Sequence, residues 1–358
     1  MQARAQACRC VFGPRPRIAT GVLAWALFLN GLAVHAEAQI TPVRACVTRD
    51  KPIPAQVADP APSTPAPAQP STPTSSRLLL LDPAAAATPL DSGPLPDSGG
   101  DLDLAEVFPT LWSAPSPNVR AVQLESGGKR LGPALWLVPM VPPAYAARID
   151  RTGAPLLIPP QQPMAGFSGY WLLVDKLAVV STDSGPLTFR LRMDLAPRSV
   201  MAVRSLIEHG FYDDTPIFRV ASLRARPEPD IVQFGDPTAT GLGGPGFFFD
   251  LEPSALKHDY GVLSLARAAD PNSAGSQLII GLSREGTAQL DGKYTAFAQL
   301  VGEKSAAALA KLAKSPVDAD GKPRQTVIVD RIELIDAPPL GEGEEPAKNP
   351  ATPPPGGR

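Results

Sequence analysis

The sequence predicts a mainly β fold built on a closed antiparallel barrel capped by helices. Three observations carry this: period-two alternation on both sides of a tight turn between Leu177 and Met193, only two stretches of helical spacing, and a series of short apolar runs punctuated by glycine that continues to Ile335. In the first element, Leu177, Val179 and Ser181 alternate with their neighbours, Asp183-Ser184-Gly185 marks a turn, and Leu187, Phe189, Leu191 and Met193 alternate with Thr188, Arg190 and Arg192. This reads as a hairpin with one buried face. A helix follows, because Pro197 suits a first helical turn and Val200, Val203, Leu206 and Ile207 recur at helical spacing before Gly210. A second helix is expected over Ser305 to Lys314, which is rich in Ala, Leu and Lys, and a last strand over Thr326 to Ile335. Phe247-Phe248-Phe249 also reads as strand, and the glycine cluster Gly241 to Gly246 before it as a turn.

The flanks differ in composition. The chain has 358 residues, 44 of them proline, more than twice the usual share of about 5%. Only 11 prolines fall between Leu172 and Asp336, so the excess maps the flanks and leaves one main domain over 172–336. Residues 1–38 have the order of a secretory signal peptide: Arg4, Arg9, Arg15 and Arg17, then an apolar run from Ile18 to Val34, then Ala36-Glu37-Ala38. The body is therefore expected to be exported, periplasmic or secreted, and anchored to the membrane if the signal is not cleaved. Residues 39–100 are expected to form a proline-rich linker, 101–171 a small β-rich module or extension, and 337–358 a disordered Pro/Gly/Glu-rich tail.

Several function classes drop out. With 33 Lys+Arg against 35 Asp+Glu the formal net charge is -2 and no basic block stands out, so nucleic acid is not an expected partner. Cys8 and Cys10 lie in the leader, which leaves Cys46 alone, expected in a flexible arm, with no intrachain disulfide and no Cys/His spacing for zinc. His209 and His258 have neither a G-x-S-x-G nor an H-E-x-x-H setting, and the glycine cluster is not followed by the Lys-Ser/Thr pair of a phosphate loop.

What stands out is an ordered set of segments: Gly210-Phe211-Tyr212-Asp213, Phe218-Arg219-Val220, Gln233-Phe234-Gly235-Asp236-Pro237, Gly261 to Ala266, Pro271 to Gln277, and Leu290-Asp291-Gly292-Lys293-Tyr294. In order and spacing they resemble the cyclophilin-type peptidyl-prolyl cis-trans isomerases over about Leu172 to Asp336. The resemblance implies an eight-stranded antiparallel barrel with a helix at each end. It also implies a catalytic arginine at Arg219, glutamines at Gln233 and Gln277 that hold the arginine and the substrate backbone, and a substrate groove at Ile231, Ala266, Arg267, Ala268, Ile279, Leu290 and Tyr294. No metal or cofactor is implied. Proline-containing polypeptides are the implied partners and a monomer the expected state, with cell-envelope components as further partners through the proline-rich arms.

The departures from the family pattern bear on activity. Asp230 stands where the family has a pocket aromatic, Ile279 replaces the second aromatic, Gln289 a tryptophan, Tyr294 a histidine and Arg267 an asparagine, while about six residues are inserted within Ala221 to Pro229. A carboxylate in place of an aromatic loses apolar contact and resists desolvation. Proline binding is expected to weaken unless Ile231, Leu223 or Ile279 refills the pocket, and Asp230 can pair with Arg219. Two functions compete: an isomerase assisting the folding of exported or envelope proteins, and a weak or inactive peptide-binding scaffold on the same barrel.

Overall fold

The computed structural model describes residues 39–58, 76–83, 89–95, 100–113, 118–141, 146–151, 155–158, 166–224, 226–343 and 345–350. The leader 1–38, including Cys8 and Cys10, and the Pro60 to Pro67 stretch lie outside the described residues.

The amino-terminal half is built from strands. They are β1 (Gln39–Pro42), β2 (Cys46–Thr48), β3 (Pro54–Ala58), β4 (Ser76–Leu81), β5 (Pro89–Pro94), β6 (Gly100–Asp103), β7 (Arg120–Ser126), β8 (Lys129–Pro139), β9 (Ala146–Ile149), β10 (Pro155–Ile158) and β11 (Gly169–Val174), with short helices α1 (Leu104–Val107) and α2 (Thr110–Ser113) after β6. A six-stranded antiparallel sheet in the order β2-β11-β8-β7-β4-β5 forms the centre, β1-β3-β6 a second sheet, and β9-β10 a hairpin. The linker expected over 39–100 is therefore corrected: its described residues supply strands to both larger sheets. The physical reason is visible in two places. Pro42, Pro54, Pro89 and Pro94 sit at strand ends, where a missing N–H is tolerated. Leu78 to Leu81 form an apolar run that an average over the proline-rich window conceals. Cys46, expected in a flexible arm, lies exposed on β2.

Alternation along the central strands explains why both faces of this sheet are covered. Leu79, Leu81, Ala134, Trp136 and Val138 join one apolar core with the barrel below, whereas Leu78, Leu80, Leu135 and Leu137 pack with Ile40, Ile53 and Val57 of the smaller sheet region. The sheet is thus fixed to the barrel through a shared core. Because β11 runs to Val174 as part of this sheet, the barrel begins at Lys176, four residues later than the sequence boundary suggests.

The barrel comprises β12 (Lys176–Thr182), β13 (Leu187–Leu191), β14 (Thr215–Ala221), β15 (Ile231–Phe234), β16 (Val262–Leu265), β17 (Leu278–Gly281), β18 (Ala296–Leu300) and β19 (Val327–Asp336). These close in the order β12-β13-β18-β16-β17-β15-β14-β19. The helices are α3 (Pro197–Glu208), α4 (Arg284–Thr287) and α5 (Glu303–Ala313). The hairpin β12-β13 forms as expected, but β12 turns its other face inward. Phe189 and Leu187 point into the core, and their cross-strand partners are Ala178 and Val180, so those residues are buried while Leu177 and Val179 are half-buried. α3 has no side-chain cap from Ala196; instead the buried Glu252 accepts hydrogen bonds from the backbone N–H of Arg198 and Ser199 at 3.1 and 2.7 Å. Val200, Val203, Leu206 and Ile207 of α3, and Ala306, Leu309 and Leu312 of α5, join the barrel core. Phe247 to Phe249 do not form a strand; only Phe249 bridges, to Ala274.

The described part of the tail is packed, which corrects its reading as disordered. Ala337 is buried, the Leu340 N–H donates to Oε1 of the fully buried Gln123, and the Ala347 N–H donates to the Leu300 carbonyl. The strap therefore touches both the six-stranded sheet and the barrel. At their junction lies Asp175, 2% exposed and ion-paired to Arg190 at 3.1 Å.

Candidate functional site

One groove, of about 950 Å³, gathers most of the residues singled out in the sequence. Its wall is β14 and β15, which place Arg219 directly opposite Gln233, while Gln233 in turn pairs with Ile279 on β17. Period-two geometry then brings Arg219 and Gln233 to one rim. Arg219, Gln233, Ala266, Arg267, Ala268 and Gln277 line the groove. Ile231, Ile279, Leu290 and Tyr294 are not among its lining residues. Ile231 and Ile279 are buried with Ala266 in a small apolar cluster against which Tyr294 packs, and Leu290 is buried apart from that cluster.

The polar geometry departs from expectation in two places. The glutamines do not hold Arg219: Gln233 Nε2 donates to Gln277 Oε1 at 2.9 Å, and Gln277 Nε2 donates to the carbonyls of Gly241 and Gly243, both at 2.9 Å. Among the described residues half-buried Arg219 has no ion pair and no hydrogen bond, and it borders both this groove and a neighbouring cavity lined by Ala221, Ser222, Arg226 and Asp318. Nor does Asp230 pair with Arg219. Fully buried, it accepts from the Leu223 N–H at 2.8 Å and Ser222 Oγ at 3.1 Å and is ion-paired to Arg226. Burial pushes the Asp230 pKa up, but the Leu223 N–H, Arg226 and Ser222 outweigh it and hold the carboxyl below its ordinary range. The carboxylate is thus consumed by the inserted loop and does not pair with Arg219.

Arg267 also differs from a free substrate donor. Its guanidinium donates to the carbonyls of Lys293, Ala268 and Ala269 and stacks over the Tyr294 ring at 4.6 Å. It shapes the groove edge and fixes Tyr294.

The structure adds a group that the residue types alone did not reveal. The glycine cluster forms the opposite rim, and buried Asp236 organises it. Its Oδ1 accepts from the Thr238 N–H and hydroxyl, both at 2.7 Å, and its Oδ2 accepts from the N–H groups of Gly241 and Gly243 at 2.6 and 3.1 Å. Burial raises the Asp236 pKa, but these donors outweigh it and the net shift is downward. Glycine is required here: Gly241 has φ +80°, and a Cβ on Gly243 would stand 2.0 Å from Asp236 Oδ1. The signal was the Asp-x-Thr turn followed by glycines, legible as a turn but not as a rim. Asp320 and Lys322, which also line the groove, come from a distant loop with no local pattern to mark them.

Residues 177–334 match the family described as cyclophilin type peptidyl-prolyl cis-trans isomerase/CLD. A Staphylococcus epidermidis protein assigned as a peptidyl-prolyl cis-trans isomerase is 32% identical over 189 residues, covering 44% of this chain and 90% of that protein. Peptidyl-prolyl cis-trans isomerase-like 1 of Neurospora crassa is 32% identical over 161 residues, covering 44% of this chain and 92% of that protein. Among solved structures, a Cryptosporidium parvum cyclophilin type isomerase crystallised in the presence of the dipeptide Ala-Pro is 32% identical, with a TM-score of 0.40 over 44% of this chain and 98% of that one.

Proposed function

The chain belongs to the cyclophilin-type peptidyl-prolyl cis-trans isomerase family, and from that membership together with the groove we propose that it accelerates rotation about X-Pro bonds in exported or envelope polypeptides. The observation that carries the proposal is the guanidinium of Arg219 on the groove wall, unpaired among the described residues and beside the Gln233–Gln277 pair.

An X-Pro amide resists rotation because conjugation ties the nitrogen lone pair to the carbonyl, with a barrier of about 18–20 kcal/mol. Twisting frees that lone pair. A donor aimed at the prolyl nitrogen therefore binds the twisted amide better than either planar isomer, and only such differential binding lowers the barrier. Arg219 supplies that donor in a groove where partial exclusion of water strengthens it. Gln277 is held by Gln233 and by the glycine rim, which take both of its N–H donors, so the remaining lone pair of its Oε1 is the preorganised acceptor for the substrate backbone. No bond to the protein forms and no proton changes owner. Export is supported by the basic-then-apolar amino terminus, and the packed core, with Cys46 a free cysteine among the described residues, is compatible with an oxidising compartment.

A protease-free prolyl isomerisation assay on the full chain tests the chemistry. Wild type should outpace buffer, and Arg219→Ala should fall at least about 100-fold in kcat/KM. Equal rates for wild type, variant and buffer would leave the peptide-binding scaffold, the reading favoured by the loss of both pocket aromatics at Asp230 and Ile279. Cell fractionation tests the location: a chain shortened by its leader in the exported fraction supports it, and full-length chain confined to the cytosol overturns it.

A further inference from the structure

We infer that Leu223, delivered by the inserted loop between β14 and β15, is a wall of the proline pocket, and that Asp230 is the positioning residue that holds it there. The inference rests on the isomerase reading of the groove.

Neither Asp230 nor Ile279 offers an aromatic ring, and a proline ring held by apolar contact needs surface to replace it. Leu223 is the residue outside the implied site that packs onto the cluster of Ile231, Ala266 and Ile279, and Tyr294 is its companion there. Ile231, Ala266 and Ile279 are 1%, 7% and 6% exposed, and of the three only Ala266 lines the groove, so the cluster has little surface of its own to offer. Leu223 and Tyr294 are half-buried, and each still presents a face.

An inserted loop is a poor place for a pocket residue unless something fixes its backbone. Asp230 does so from the first position before β15. Its carboxylate accepts from the Leu223 N–H at 2.8 Å and from Ser222 Oγ at 3.1 Å, and its own N–H donates to the Ala221 carbonyl at 2.9 Å, so both ends of the loop are tied to one residue. Arg226 completes the knot through its ion pair with Asp230, and Arg224 and Arg226 also reach Glu285 at 3.2 and 3.4 Å. Gly286 makes room: a Cβ there would lie 2.1 Å from Asp230 Oδ1. The carboxylate that stands in the aromatic's position thus does not fill the pocket. It anchors the leucine that walls it.

The test uses the full chain with a proline tetrapeptide and its counterpart carrying the six-membered-ring analogue pipecolate. Isomerisation kinetics and peptide affinity by titration are measured in parallel. Leu223→Ala should raise KM and the dissociation constant for the proline peptide about tenfold, keep kcat within about twofold, and shift preference toward pipecolate. A purely structural role would not move ring-size preference. Asp230→Ala should reproduce the affinity loss, and the double variant should lose no more than Leu223→Ala alone. Unchanged affinity and ring preference in Leu223→Ala, or a gain in kcat/KM showing that Leu223 merely covers the pocket, would overturn the inference. Additive losses in the double variant would overturn the role of Asp230. A wild type no faster than buffer counts against the isomerase reading alone, since the titration still reports on Leu223.

Discussion

Replacing Asp236 by Asn removes the carboxylate that holds the glycine rim while preserving shape. Oδ1 still accepts from Thr238, but the amide nitrogen now faces the N–H groups of Gly241 and Gly243, which donated at 2.6 and 3.1 Å. Hydrogen bonds to a charged group are each worth roughly 1.5–3 kcal/mol. Gly241 is exposed and can rehydrate, whereas Gly243 is half-buried and cannot do so fully. One bond lost outright and one partly recovered gives a destabilisation of about 2–4 kcal/mol, a large part of a typical stability of about 5–15 kcal/mol. Urea unfolding of both proteins reads it directly. The pH dependence adds a check with a defined sign: the folded-state pKa of Asp236 lies below its ordinary value of 3.8, so its stabilisation is present above that value and is lost as pH falls through the folded pKa. The gap between wild type and variant should therefore close in acid. Because Gln277 grips the carbonyls of Gly241 and Gly243, the variant should also bind proline peptides several-fold more weakly. Stability within about 0.5 kcal/mol of wild type at neutral pH, with unchanged peptide affinity, would refute the reasoning.

Other expectations follow from the same contacts. Burial pushes Asp175 up to about 6 against the opposing charge of Arg190, so the protonated form is favoured by folding; its stabilisation is complete below about 3.8 and is lost as pH rises to about 6. Asp175→Asn should thus gain on wild type between those pH values, by at most about 3 kcal/mol at neutral pH, measured as paired urea titrations. Ending the chain after Asp336 leaves buried Gln123 Oε1 without the Leu340 N–H and should cost at least about 1–3 kcal/mol, read as a lower thermal midpoint. Gly235→Ala places a Cβ 2.4 Å from the Ser276 carbonyl at φ +87° and should destabilise the barrel by more than about 2 kcal/mol, again by urea unfolding.

How much of this was legible before the structure depended on the range of the interactions. The hairpin after Leu177, α3 behind Pro197 and β19 follow from local periodicity, and the order of the groove blocks placed Arg219, Gln233 and Gln277 on one site. Two things were hidden. The first is the share of the amino-terminal sheets supplied by residues 39–100, whose strands are short and separated by prolines and whose cohesion comes from pairings such as Leu80 with Val122, 42 positions apart. The second is the fate of Asp230: its residue type suggests a partner for Arg219, and only the fold of the inserted loop shows that Leu223, Ser222 and Arg226 claim it first. The inward face of β12 was ambiguous for a simpler reason, since Val179 and Val180 are both apolar and the choice is made by Leu187 across the strand.

The central claim of the proposal is that Arg219, unpaired among the described residues, is the donor that stabilises the twisted prolyl amide. It is tested most directly by isomerisation rates of wild type, Arg219→Lys and Arg219→Ala at fixed peptide concentration below KM. A point charge without the guanidinium's fork should recover only part of the activity, so the account predicts wild type well above lysine and lysine above alanine, with alanine down at least about 100-fold and peptide affinity changed far less. Alanine retaining wild-type kcat/KM would contradict it.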